Sequence, residues 1–297
     1  MVKKAPAVVL PSWNRLKFPH KADQNARLLL GMIQDDLPKR RGKNRGGYRG
    51  DTIELPELLR HLEEQASAKR WQTQRLPFGE SAEQSLLYLE RTYSSDKVNI
   101  LLSAGIHGDE PATTAAIAQC ILEDELPGHC SYYVFPCLNP TGMTSGTREN
   151  SNGVDLNRDY FKKQTKEVHT HVCKLKALPR FDLALHLHED WEAVGFYLYE
   201  LSQENSPAIY GRRILDQVGK ICPIELAKEI EGMPADRGHI HPRHRYLDRD
   251  DWPEAFHMMR HKTDQCLTLE APSDFEINVR VKALITAVQT AIAVTLG

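Results

Sequence analysis

The chain has 297 residues, 41% hydrophobic and 26% charged, with a formal net charge of −2. That length and apolar content supply one large core or two small ones, and the balanced charge argues against nucleic acid or an anionic membrane surface as a partner. No stretch approaches the ~20 apolar residues of a membrane span, and the six cysteines include no CxxC pair, so reduced and mostly buried thiols are expected rather than a sulfur zinc site or a redox motif.

In "MVKKAPAVVLPSWN" the apolar run from Ala5 to Leu10 is short for a signal segment, and Pro11 ends it; a cytoplasmic protein is expected. "PKRRGKNRGGYRGD", Pro38 to Asp51, carries six basic residues and four glycines without periodicity. It reads as loop, either solvated or an arm for an anion or partner. Residues 1–50 are therefore expected to be a loop-rich basic extension, and 51–297 the regularly folded domain. "DTIELPELLRHLEEQASA" is expected to be a capped amphipathic helix with Leu55, Leu58, Leu59 and Leu62 on one face.

"SLLYLERTY" and "KVNILLSAG" read as strands, and "EPATTAAIAQCILEDE" as a helix with Pro111 in its first turn. "CSYYVFPCLNP" is a strand, and Asn139 to Phe161 a long loop. "FDLALHLHED", "GFYLYEL" and "QCLTLEAPS" are strands; "AIYGRRILDQVGKI" and "VRVKALITAVQTAIAVTL" are helices. Alternating strands and helices predict an α/β fold, a mixed and largely parallel sheet flanked by helices. In such sheets the chemistry collects at the carboxyl ends of the strands.

His107 and Glu110 follow "NILLSAG" directly. A spacing of three lets both face one point, and imidazole and carboxylate are good zinc ligands. By itself the pair also fits a surface loop and a helix cap. In "FDLALHLHED" the strand alternation puts Ala184, His186 and His188 on one face, with His188 at the carboxyl end. His186 is the better candidate for a satisfied core histidine, yet either one is available as a third ligand. Arg148, Asn157 and Arg158 sit on the long loop, where they are placed to hold an anionic group. Glu270 ends a strand and is placed to act as general base.

HxxE after a strand, "GTRENSNGVDLNR", a histidine ending a later strand and "LTLEAPS" occur in one order. From Asn99 onward the chain resembles the zinc carboxypeptidases, including the murein tripeptide amidase branch and the related succinylglutamate desuccinylases and aspartoacylases. The resemblance implies a carboxypeptidase-like (phosphorylase/hydrolase-like) fold and one Zn2+ per chain. It implies His107, Glu110 and His188 as ligands, and Asp155 as the acid that orients His107. Arg148 would hold the oxyanion, Asn157 and Arg158 the substrate carboxylate, and Glu270 would be the general base. Family members often carry aspartate where His186 stands, so His186 stays open as the third ligand. Tyr246 lies where a substrate-capping tyrosine is plausible, but no local motif anchors it.

The resemblance implies promoted-water hydrolysis of a C-terminal amide of a small peptide, such as a cell-wall peptide. One alternative is deacylation of N-acyl amino acids; another is a non-catalytic binding protein on the same fold. Specificity is expected from the polar stretch before Glu270, Met233 to His261, where Arg237, Arg243, Arg245 and Arg249 are placed to recognise an acidic or zwitterionic side chain; the alternative is a solvated polar loop, and Trp191, Tyr197 and Tyr199 either wall the pocket or simply pack. Neither nucleic acid nor membrane is expected as a partner, and the sequence sets no oligomeric state.

Overall fold

The computed structural model describes residues 37–44, 49–81, 84–93, 98–203, 207–242 and 249–297. Most of the N-terminal stretch, together with Arg243, Arg245 and Tyr246, lies outside the described residues.

Helix α1, Leu55–Ala66, buries the four predicted leucines. Its expected cap is absent. Glu54 stands at the N-cap without a side-chain bond and Pro56 opens the helix, while Asp51 is used in ion pairs instead.

Strands β1 (Gln72–Pro77), β2 (Ser85–Arg91), β3 (Val98–Ser103), β4 (Cys130–Phe135), β5 (Leu183–Asp190), β6 (Tyr197–Ser202), β9 (His239–Ile240) and β10 (Gln265–Pro272) form one sheet. Its order is β1-β2-β4-β3-β5-β10-β6-β9. The four central strands β4, β3, β5 and β10 are parallel, and the antiparallel pairs lie toward the edges. A small hairpin, β7 (Glu229–Ile230) with β8 (Met233–Pro234), stands apart from it.

Alternation along β5 divides the core. Leu183, Leu185 and Leu187 join the apolar cluster beneath α1, α2 (Pro111–Leu122), α5 (Gly211–Val218) and α7 (Ile277–Leu296). Ala184 joins the cluster on the other face, beneath α4 (Lys166–Ala177) and α6 (Glu254–His261). The crossover from β3 through α2 to β4 thus covers one face, and the crossover from β4 through α4 to β5 covers the other. The order in which strands are added reverses between the parallel neighbours β3 and β5, and α/β sheets open a crevice at such a switch point.

Two expectations need correction. The segment from Asn139 is not loop throughout: α3, Pro140–Ser145, is helical, with Asn139 Oδ1 accepting from Gly142 N, and Leu156–Arg158 makes a 3-10 turn. Also, α7 is 20 residues long and apolar enough to cross a membrane by composition. Its hydrophobicity has a local cause: it packs against α2 and α5, and half of its apolar window is buried. It also carries Arg280, fully enclosed.

Candidate active site

His107 and Glu110 lie in the turn from β3 into α2. Gly105 takes φ +61 there, in the left-handed region that glycine tolerates best. Gly108 passes so close to Gly142 that a Cβ would sit 2.0 Å from its carbonyl carbon. Both glycines let the strand turn sharply, and Pro111 starts α2 directly after Glu110. His188 reaches the same crevice from the end of β5. In register, Glu270 on β10 sits beside His188 on β5 and Tyr197 on β6.

His107 Nδ1 lies 2.6 Å from Glu110 Oε1, and His188 Nδ1 lies 3.1 Å from Glu110 Oε2. Ligating atoms of His107, Glu110 and His188 all fall within 4.8 Å of one another, and all three residues are buried. Two imidazoles and a carboxylate suit a zinc-like ion with one position left open. Glu110 Oε2 is buried with the His188 imidazole as its neighbour and accepts no well-aligned hydrogen bond, so the donor set fits such an ion. Burial opposes charge on all three residues. Against it, the two imidazoles hold Glu110 down at about 2, and Glu110 with Asp155 holds His107 up at about 9. For His188 burial prevails, and its affinity for protons falls.

His186 is not in this group. Its Nδ1 lies 2.7 Å from Ser103 Oγ and 3.1 Å from Glu254 Oε2, in the floor beneath the crevice. Of the two candidates on β5, only His188 is placed with His107 and Glu110.

Asp155 is shared. Its Oδ1 lies 3.3 Å from His107 Nε2 and accepts the Asn157 N–H at 2.9 Å. Its Oδ2 accepts both Nε and Nη2 of Arg148 at 3.1 Å. Arg148 Nη1 also stands 4.0 Å from Glu110 Oε1, at the mouth of the site. Asn157 Oδ1 accepts the backbone N–H of Glu254, which fixes the amide and leaves its Nδ2 for other partners. Arg158 is exposed, and its Nη1 donates to the Asn157 carbonyl.

His107, Glu110, His188, Arg148, Asn157 and Arg158, with Glu270, line one cavity of about 480 Å³; Asp155 stands behind it. A larger cavity, about 690 Å³, lies by α1 and the β1–β2 edge and includes none of them. Burial, then the nearby Glu110 and Asp190 carboxylates, raise the proton affinity of Glu270 well above the ordinary range. A carboxyl that takes up protons readily beside a metal-type cluster is suited to general-base work.

Trp191, Tyr197 and Tyr199 wall the cavity, as the sequence predicts, and Arg249 lines it while paired with Asp251. Arg237 does not line it; it is exposed and takes φ +49 in a tight turn. Sequence reasoning missed Glu254 and Glu231, which line it too. Glu254 lies in the polar stretch singled out for specificity, but no spacing there marks one acid over another.

Residues 96–230 match the family model for the succinylglutamate desuccinylase/aspartoacylase catalytic domain. Murein peptide amidase A of Escherichia coli K12 is 40% identical over 70 residues, 24% of this chain and 28% of that protein. The Vibrio campbellii counterpart is 41% identical over 76 residues. The matched stretch thus spans a little over a quarter of these relatives. Among solved structures, a Shewanella amazonensis protein assigned to the metallopeptidases superposes with a TM-score of 0.67 at 22% identity, covering 80% of this chain and 91% of that one. A metallo-carboxypeptidase from Burkholderia cenocepacia gives 0.57 at 15% identity, covering 82% and 68%. The fold is shared with these structures, and the site lies at the carboxyl ends of the same parallel strands that the family match spans or adjoins. Over residues 96–230 the chain is thus similar to the succinylglutamate desuccinylase/aspartoacylase catalytic domain, and its fold is the one these metallopeptidase structures share.

Proposed function

We propose that this protein is a zinc-dependent hydrolase that removes the C-terminal residue of a small peptide by cutting its amide bond. The observation that carries the reading is the register of β10 on β5, which sets Glu270 beside His188 and above the His107–Glu110–His188 cluster.

His107, Glu110 and His188 would hold the zinc ion, which would supply Lewis acidity toward a carbonyl and a water. Glu270 takes the proton of the attacking water on its carboxylate and passes it to the leaving amine. Arg148 offers its guanidinium to the developing oxyanion, while Asp155 holds both Arg148 and His107 in place. Asn157 Nδ2 and Arg158 bind the terminal carboxylate, which restricts cleavage to a chain end.

The cavity carries both signs. Arg148, Arg158 and Arg249 oppose Asp190, Glu192, Glu231 and Glu254. A zwitterionic terminal residue, as in cell-wall peptides, suits that lining, and the murein peptide amidase relatives support it. The second reading is deacylation of an N-acyl amino acid, favoured by the desuccinylase/aspartoacylase match. A cytoplasmic setting agrees with the six free cysteines.

The test is incubation of zinc-loaded protein with murein tripeptide, ordinary peptides and N-acyl amino acids, with released amino acid quantified. Release from peptides alone supports the first reading, and release from N-acyl amino acids alone supports the second. Purified protein that neither carries nor takes up stoichiometric zinc would overturn both.

A further inference from the structure

Glu189 directly follows His188, and strand alternation turns it toward the α2 and α7 side of β5, where it still borders the cavity. It is buried, and its Oε1 accepts the backbone N–H of Ala112 at 2.6 Å, in the first turn of α2. That turn begins directly after Glu110. One carboxylate therefore ties the strand end that bears His188 to the helix start that bears Glu110.

Its other oxygen pairs with Arg280, fully enclosed on α7, and Arg280 pairs in turn with Asp51. Asp51 also accepts from Lys43 Nζ at 2.9 Å and Arg41 Nη1 at 3.3 Å. Residues 40–44 are held to the domain by further bonds. Asp274, at the β10–α7 junction, accepts from Arg40 Nε and from the backbone N–H groups of Gly42 and Lys43. Asn44 Nδ2 donates to Ser273 Oγ at 3.0 Å, with the Trp191 carbonyl, on the cavity wall, at 3.2 Å. Read from sequence, this basic stretch is a solvated loop or a partner-binding arm; residues 40–44 are instead bonded to the domain.

We propose that Glu189 is a positioning residue for the metal-ligating elements, and that the ion-pair chain Glu189–Arg280–Asp51 makes residues 40–44 and Asp51 part of the catalytic unit rather than a detachable extension. The inference rests on the metal-site reading above but concerns residues that take no part in the chemistry. Buried acids of this kind need a partner, because an unpaired charge in the interior is strongly unfavourable. Arg280 serves two of them, and Lys43 and Arg41 balance the outer one.

The test measures zinc affinity of the full chain by competition with a chromophoric chelator, with the melting temperature of each variant alongside. Glu189→Gln keeps an acceptor for the Ala112 N–H and loses the charge; Glu189→Ala loses both. Affinity is expected to fall in that order, by roughly 10–100-fold for Glu189→Ala. Asp51→Asn, at the outer end of the chain, is expected to weaken zinc by a smaller factor. KM of the zinc-saturated variants stays unchanged. If Glu189→Ala does not fold, Glu189→Gln and Asp51→Asn carry the test. A merely structural role would lower melting temperatures and leave zinc affinity of the folded protein untouched, and that result overturns the inference alone. A wild-type chain that binds no zinc overturns the site reading and this inference with it.

Discussion

His186 Nδ1 lies 3.1 Å from Glu254 Oε2, and both side chains are buried in the cavity floor. Burial works against the imidazolium, but the Glu254 carboxylate outweighs it and holds His186 up at about 10. Burial likewise works against Glu254, and His186 holds it down at about 2. The pair is a structural ion pair. His186→Ala is expected to keep bound zinc and lose about 3–5 kcal/mol of stability, because Glu254 is left charged and buried. His188→Ala is expected to lose zinc. Metal content and a urea melt of the two variants check both outcomes, and loss of zinc in His186→Ala would exchange their roles.

Glu270→Gln should retain zinc and fold normally, since the substitution is close to isosteric. Turnover should fall by roughly 10²–10⁴ if the carboxylate moves the proton. Metal analysis beside a single-turnover assay separates this from loss of the ion. Residual activity near wild type would remove Glu270 from its role.

Asp155 and Arg148 are expected to separate by readout. Asp155→Asn disturbs the contact with His107, so zinc affinity should fall by roughly 10–100-fold. Arg148→Ala leaves His107, Glu110 and His188 in place, so zinc should stay while kcat falls by roughly 10²–10³. A chelator titration and steady-state kinetics on both variants test the division.

Arg158→Ala should raise KM by about 10-fold or more through loss of a charge-assisted bond, with kcat nearly unchanged. The comparison substrate is the same peptide with its C-terminus amidated. Wild type should discriminate strongly against it, and the variant should discriminate less.

Stability should fall on the acid side of neutrality. Burial lowers His171 from 6.5 to about 4, with Glu254 opposing it, and lowers His257 to about 3, with His261 adding to it. A histidine kept neutral in the fold takes up its proton more readily when unfolded. Its contribution is therefore complete above about pH 6.5 and is lost as pH falls toward 4. For fully buried His171 the loss is of order 3 kcal/mol. Urea midpoints between pH 7.5 and 4 measure it, and His171→Gln should flatten the curve over that window.

Local pattern was enough to pick out many residues of the candidate site. His107 and Glu110 are three residues apart beside a strand end, so short-range geometry already aims them at one point. Asn157 and Arg158 belong to a distinctive run of residues, and α2, β5 and β10 follow from apolar periodicity and strand-breaking glycine or proline. The loop from Asn139 was less legible, because the helix at Pro140–Ser145 is too short for periodicity to register and depends on Asn139 as its cap.

What the sequence alone determined is the chemistry on offer: two imidazoles and a carboxylate of ligand type, a strand-end acid and loop arginines, in an α/β order that brings them to one edge. What only the tertiary structure decided depends on packing between distant segments. Choosing between His186 and His188 required Glu254, far along the chain on α6, to claim His186. The place of the basic segment required Asp51 to meet Arg280 on the last helix. A buried charge must find a partner, and which partner it finds is a property of the fold, not of neighbours in the chain.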